Sequence, residues 1–152
     1  MSDNGAYMKK VLLQVEDLNA VIEKIKSEDF VDKDNIYLLG SSMGGVTVAT
    51  YAVTHTDDIK GIILQYPAIF LNEQAYEIGA EYDVNGYKNP VLLLQGDSDK
   101  VVPDKYSIEL CDYYNSIDKN HCRMIIYNGQ SHVFTGKYKV IAAKDIYEFI
   151  NS

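Results

Sequence analysis

Apolar residues recur along this chain in two different periods. Val11, Val15, Leu18, Val21, Ile22 and Ile25 fall three or four positions apart, which predicts a helix with one apolar face. Lys24, Lys26, Glu28 and Asp29 end that pattern in a polar turn. The stretch "DKDNIYLLG" then reads as a short buried strand, Ile36 to Leu39, stopped by Gly40. "MGGVTVATYAVTH" is rich in small and β-branched residues and reads as a buried helix. "IKGIILQYPA", "PVLLLQGDSD" and "HCRMIIYNGQSH" each read as an apolar strand running into a turn. A polar connector, "EQAYEIGAEYDVNGYKN", lies between the first two of these. "PDKYSIELCDYYNSI" shows helical spacing at Tyr106, Leu110 and Tyr113/Tyr114. "YKVIAAKDIYEFI" closes the chain as a helix with Val140, Ala143, Ile146, Tyr147 and Ile150 expected on one face.

One helix followed by four strands alternating with helices or connectors implies right-handed crossovers. The expected fold is therefore α/β, a mostly parallel sheet of about four strands with helices on both faces. The apolar runs lack polar alternation, as strands buried on both faces should. In such sheets, sites gather beyond the carboxyl ends of the strands.

Composition narrows the functions. A chain of 152 residues suits a single domain with one sizeable core. Its 22 acidic against 14 basic side chains argue against nucleic acid or an anionic membrane as partner, since both need clustered positive charge. The opening "MSDNGAYMKK" has no apolar core of a signal peptide, and no run approaches a membrane span. Cys111 and Cys122 lack metal-ligand spacing and read as free thiols in a reducing compartment, which makes a cytoplasmic location the expectation.

Three loops after predicted strands carry reactive groups. Gly40-Ser41-Ser42-Met43-Gly44 fits G-x-S-x-G with Ser42 at its centre. A serine hydroxyl is a weak nucleophile until a base takes its proton, and it must stand clear of its own backbone. Glycines two before and two after Ser42 are expected to relieve crowding in that turn. The helix beginning near Met43 would aim its free N–H groups at charge developing near Ser42. The pentapeptide alone fits an ordinary tight strand-to-helix turn equally well. "GDSDKVVP" places Asp97 and Asp99 after a strand, where a carboxylate can hold an imidazole in the useful tautomer or simply cap a helix. "NGQSHVF" places His132 after the last strand. His55, beside Asp57 and Asp58, and His121, before the last strand, read as surface residues. Ser42, Asp99 and His132 stand in the chain order Ser, Asp, His, each on a strand-end loop.

"GSSMGG", "DIKGIILQYPA", "PVLLLQGDSDKVVP" and "NGQSHVF" together resemble the α/β-hydrolase superfamily, in particular its small bacterial cinnamoyl- and feruloyl-esterase-like members. The resemblance implies a catalytic triad of Ser42, Asp99 and His132, with Asp99 rather than Asp97 as the acid. It implies an oxyanion donor at the Met43 backbone N–H and no metal or organic cofactor. Members of that family begin with further strands, and the turn after the third supplies a second oxyanion donor. Nothing before Gly40 matches that turn, and "SDNG" looks like the tail of that front region. The expectation is a single domain over residues 1–152 resembling only the back half of the fold. Losing one oxyanion donor typically costs about 10²–10³ in rate. The substrate-covering cap that the family often inserts after the strand equivalent to "GIILQYPA" is expected to be reduced or absent, since only Phe70 to Asn89 occupies that stretch.

The leading reading is a serine hydrolase cleaving carboxylic esters through an acyl-enzyme, its partner a small-molecule ester. The alternative is a truncated, catalytically weak or inactive domain that keeps the three residues and serves as an interaction module. The strand edge from Asn35 to Leu39 is apolar and free of lysine and proline within "NIYLL", so two copies are expected to pair there as a homodimer.

Overall fold

The computed structural model describes residues 3–71, 84, 86–118 and 121–152, with side chains described from residue 9 onward. Its elements are α1 (Asp3–Lys26), β1 (Tyr37–Ser41), α2 (Met43–Thr54), β2 (Gly61–Gln65), β3 (Val91–Gly96), α3 (Asp104–Ile117), β4 (Cys122–Tyr127) and α4 (Lys137–Ile150). The four strands form one parallel sheet in the order β1-β2-β3-β4. Every strand therefore ends at the same edge, and every following turn faces the same way.

Alternation along the central strands explains the continuous apolar runs. Ile62, Leu64, Val91 and Leu93 face one core, packed with Val11 and Ile22 of α1, Val46, Ala49 and Tyr51 of α2, and Leu110 and Tyr114 of α3. Ile63, Leu92 and Leu94 face the other, with Tyr127, Phe134, Ala142 and Phe149. Fully burying one such aliphatic side chain contributes about 1.5–3 kcal/mol. β1 has no strand on its outer side among the described residues, and Leu39 remains 49% exposed in mid-strand.

Several sequence expectations are corrected. β1 does not stop at Gly40, because Gly40 and Ser41 continue the ladder opposite Leu64 and Gln65. Asn35 precedes this strand, in the turn where its side chain bonds Asp32. On α4 the expected apolar face is rotated: Ala142 and Phe149 are buried, whereas Val140 and Tyr147 are 71% and 68% exposed. Apolar residues surround that helix too widely for spacing to select the side that meets the sheet. On α1, Val21 and Ile25 likewise stay partly exposed while Val11 and Ile22 are buried. The expected cap over Phe70 to Asn89 lies mostly outside the described residues.

Cys111 and Cys122 are not free thiols. They form a disulfide with Cα atoms 5.4 Å apart, joining α3 to the start of β4. The helix returns beside the strand, so two positions eleven residues apart meet. Such a cross-link typically contributes about 2–4 kcal/mol. The cytoplasmic expectation rested on free thiols and loses that support. No helix among the described residues is long and apolar enough to cross a membrane.

His121 is also not a surface residue. It is 6% exposed, packed near the rings of Tyr87 and Tyr114. Its two ring nitrogens and the Tyr114 hydroxyl have no hydrogen-bond partner among the described residues. Burial holds the His121 imidazole below its ordinary value of 6.5, since an imidazolium there would lose its hydration. The unfolded chain thus takes up a proton more readily than the folded one. The stability this confers is present above the ordinary value and is lost as pH falls through the lowered one. Urea midpoints measured from pH 8 to pH 5 should therefore fall across the acidic end of that range, and His121→Phe should flatten the decline.

Candidate active site

The site begins with the Ser42 backbone. Ser42 sits between β1 and α2 at φ 52° and ψ −118°, a left-handed conformation that a residue with a Cβ adopts only under constraint. The constraint is visible on both sides of the residue. Its N–H donates to Gln65 O at 3.0 Å, continuing the β1–β2 ladder. Its carbonyl accepts from Gly45 N at 3.0 Å and from Ala68 N at 3.1 Å. The turn thereby lifts the Ser42 side chain away from the sheet and sets it at the amino end of α2, whose first N–H groups have no acceptor within the helix.

Two glycines permit this packing, and they are not quite the expected pair. A Cβ on Gly40 would collide with the Gly44 carbonyl and come within 2.7 Å of Gly45 N. A Cβ on Gly45 would lie 2.9 Å from Pro67 Cβ. Gly44 has open space at that position, so it relieves no crowding. The crowded partner of Gly40 is the glycine three after Ser42, because the loop after β2 folds over the first turn of α2.

β3 and β4 supply the remaining groups. His132 Nε2 lies 3.0 Å from Ser42 Oγ, and His132 Nδ1 lies 2.8 Å from Asp99 Oδ2. A carboxylate only accepts, so Nδ1 carries the proton, Nε2 is the acceptor, and the Ser42 hydroxyl donates to it. Asp99 Oδ1 accepts from Val101 N at 2.8 Å and Val102 N at 2.9 Å, and the side chain is wholly buried. Asp97 does not reach His132. It is exposed, and its Oδ1 accepts from Gly129 N at 2.7 Å, bracing the turn that leads to the histidine.

Further contributors escaped the sequence reading. Gly96 lets the histidine loop lie against the end of β3, since a Cβ there would collide with Gln130 O, and Ser98 N donates to that same carbonyl at 3.0 Å. Tyr66 adopts φ 37°, and its ring packs 4.8 Å from the His132 ring and 5.0 Å from Phe134. Gln95 is fully buried and bonds Asp99. The one local signal for Gln95 was a lone amide at the end of an otherwise apolar strand. His55 stacks on Tyr51 at 3.9 Å, on a different part of α2. Among the described residues no cluster of His, Cys, Asp and Glu is arranged to hold a metal ion.

Two family models match the chain, each over about half of it: "Serine aminopeptidase, S33" over residues 3–82 and "Prolyl oligopeptidase family" over residues 71–152. The chain belongs to the α/β-hydrolase superfamily. Among curated relatives, a proline iminopeptidase of Elizabethkingia meningoseptica is 35% identical over 43 residues, 28% of this chain and 14% of that protein. Among solved structures, Est1E from Butyrivibrio proteoclasticus superposes with TM-score 0.72 and 22% identity, covering 90% of this chain and 69% of that one. A monoacylglycerol lipase of Paleococcus ferrophilus gives 0.70 and 17%, covering 92% and 74%. Dipeptidyl peptidase 4 of Porphyromonas gingivalis gives 0.72 and 17%, covering 92% of this chain but 22% of that one. The hydrolase fold is thus shared with enzymes named for esters and for peptides alike.

The elbow of this α/β-hydrolase fold is directly testable. Gly40→Ala should destabilise it by at least about 1–3 kcal/mol through overpacking. Gly44→Ala should be neutral or stabilise it by up to about 1 kcal/mol, because alanine is the better helix former. Urea denaturation of the two variants beside the parent checks the difference, and equal losses would contradict the assigned packing.

Proposed function

We propose that this domain is a serine hydrolase of carboxylic esters. The observation that carries the reading is the unbroken hydrogen-bond path from Ser42 through His132 to Asp99. Ser42 Oγ attacks the ester carbonyl as His132 Nε2 takes its proton. Asp99 holds His132 in the required tautomer and stabilises the imidazolium. The Met43 N–H, at the amino end of α2, donates to the oxyanion. His132 then protonates the departing alcohol, leaving an acyl-Ser42 intermediate. Water, deprotonated by the same imidazole, releases the acid.

Peptide bonds are the second reading, favoured by the descriptions of both matching family models. The two readings share the acyl-enzyme and differ in the leaving group. Paired assays with p-nitrophenyl acetate and aminoacyl p-nitroanilides separate them. β1 has no outer strand neighbour among the described residues and Leu39 is half exposed, which supports pairing of two copies at Tyr37–Ser41. A cytoplasmic site of action is not part of this proposal, given the Cys111–Cys122 disulfide.

A fluorophosphonate probe should label the folded protein at Ser42, and Ser42→Ala should abolish the labelling. Absence of labelling on well-folded parent would favour the interaction-module alternative. Asp99→Asn should lower ester turnover by about 10⁴, the effect of a wrong imidazole tautomer, while Asp97→Asn should cost far less. The reverse order would move the acid to Asp97.

A further inference from the structure

β3 is buried along its whole length, and Gln95 is the one polar side chain in it. Gln95 is 0% exposed. A buried amide costs about 1–3 kcal/mol if its groups go unpaired, so a leucine here would be simpler for the core. The amide is instead fully used. Its oxygen accepts from Ser107 Oγ at 2.7 Å. Its nitrogen donates to Val102 O at 3.1 Å, to Asp99 Oδ2 at 3.2 Å and to Gly96 O at 3.2 Å. Two hydrogens thus serve three acceptors, one of them shared.

The orientation of this amide follows from its partners. Turned over, its oxygen would face a carboxylate and two carbonyls, and its NH₂ would face the Ser107 hydroxyl. Those three acceptors, which cannot donate, fix the amide, and the Ser107 hydroxyl, itself 1% exposed on α3, anchors its oxygen by donating to it. Asp99 is then gripped from both sides. Two backbone N–H groups hold Oδ1, and Gln95 and His132 divide Oδ2.

We propose that Gln95, anchored by Ser107, is a positioning residue that sets the direction and charge of the Asp99 oxygen on which His132 depends. This inference rests on the hydrolase reading of the site. Gln95 does two things there. It fixes Oδ2 in the line of the imidazole, and it takes part of the carboxylate's charge by donating to the same oxygen. Without it, Oδ2 would keep His132 as its one donor among the described residues, on a buried side chain, and the His132–Asp99 bond would change in strength and direction.

The test uses the whole chain as parent, Gln95→Met and Ser107→Ala. Three readouts are taken: kcat and KM on p-nitrophenyl acetate, the low-field proton NMR resonance of the His132 Nδ1–H, and fluorophosphonate labelling. Gln95→Met should lower kcat by about 10–100-fold, the scale seen when a partner one bond behind a functional ligand is removed. KM should stay within about twofold, because the amide touches no substrate. The low-field resonance should shift or vanish, and Ser107→Ala should move kcat and resonance the same way by less. A folded Gln95→Met with parental kcat and parental resonance would overturn the proposal. If Gln95→Met does not fold, a Ser107→Ala protein unchanged in both readouts overturns it instead. The hydrolase reading fails separately. A parent with the resonance but no labelling at Ser42 is not a serine hydrolase, and the positioning of Asp99 then stands or falls on the resonance alone.

Discussion

The Ser42 backbone is strained, and the ladder between β1 and β2 is what holds it. An L-residue held at a positive φ, as Ser42 is, costs on the order of 1–3 kcal/mol. The hydrogen bond from Ser42 N–H to Gln65 O extends the strand pairing one residue beyond β1, while Ala68 N and Gly45 N take the Ser42 carbonyl. Once those bonds are made, α2 must leave at the angle that the turn dictates. The small surfaces of Gly40 and Gly45 let the helix and the following loop close on it. The sheet core, buried on both faces, supplies the rigidity that makes the strained turn affordable.

A second set of constraints converges on His132 from the other half of the sheet. β3 and β4 end together, Gly96 lets their loops touch, and Asp97 braces the turn through Gly129 N. Asp99, Gln95 and Ser107 form a polar chain within the apolar interior, with every described donor and acceptor matched. Such a network is rigid when fully satisfied, since any single unmade bond exposes a buried polar group to an environment that cannot solvate it. α3 contributes Ser107 to that chain and, four residues on, Cys111 to the disulfide with β4. One helix thus ties the acid's surroundings to the strand that carries the histidine loop.

The other end of the sheet has a different character. His121 and Tyr114 bury polar atoms without described partners, and burial beside the rings of Tyr87 and Tyr114 denies a charged imidazole its hydration. Among the described residues this stretch lacks the side-chain matching of the network at the active edge. The contrast marks where polar burial is tied to the candidate chemistry and where it only lowers acid stability.

Much of this was legible from the residues alone. Continuous apolar runs at "GIILQ" and "VLLLQ" identified strands covered on both faces, because only such strands need no polar alternation. Gly, Ser, Asp and His at the ends of those runs pointed to Ser42, the Asp97/Asp99 pair and His132, because a parallel sheet brings its strand ends to one edge, and the family resemblance chose Asp99 from the pair. What pattern could not decide was every question of contact between distant segments. The burial of His121, the meeting of Cys111 with Cys122, the side of α4 that faces the sheet, and the crowding at Gly45 in place of Gly44 each depend on which surface packs against which. Gln95 is the clearest case. Its side chain is an unremarkable amide in the sequence. Only the folding back of the turn after β3 and the return of α3 over the strand give it a carboxylate, Asp99, on one side and a serine, Ser107, on the other.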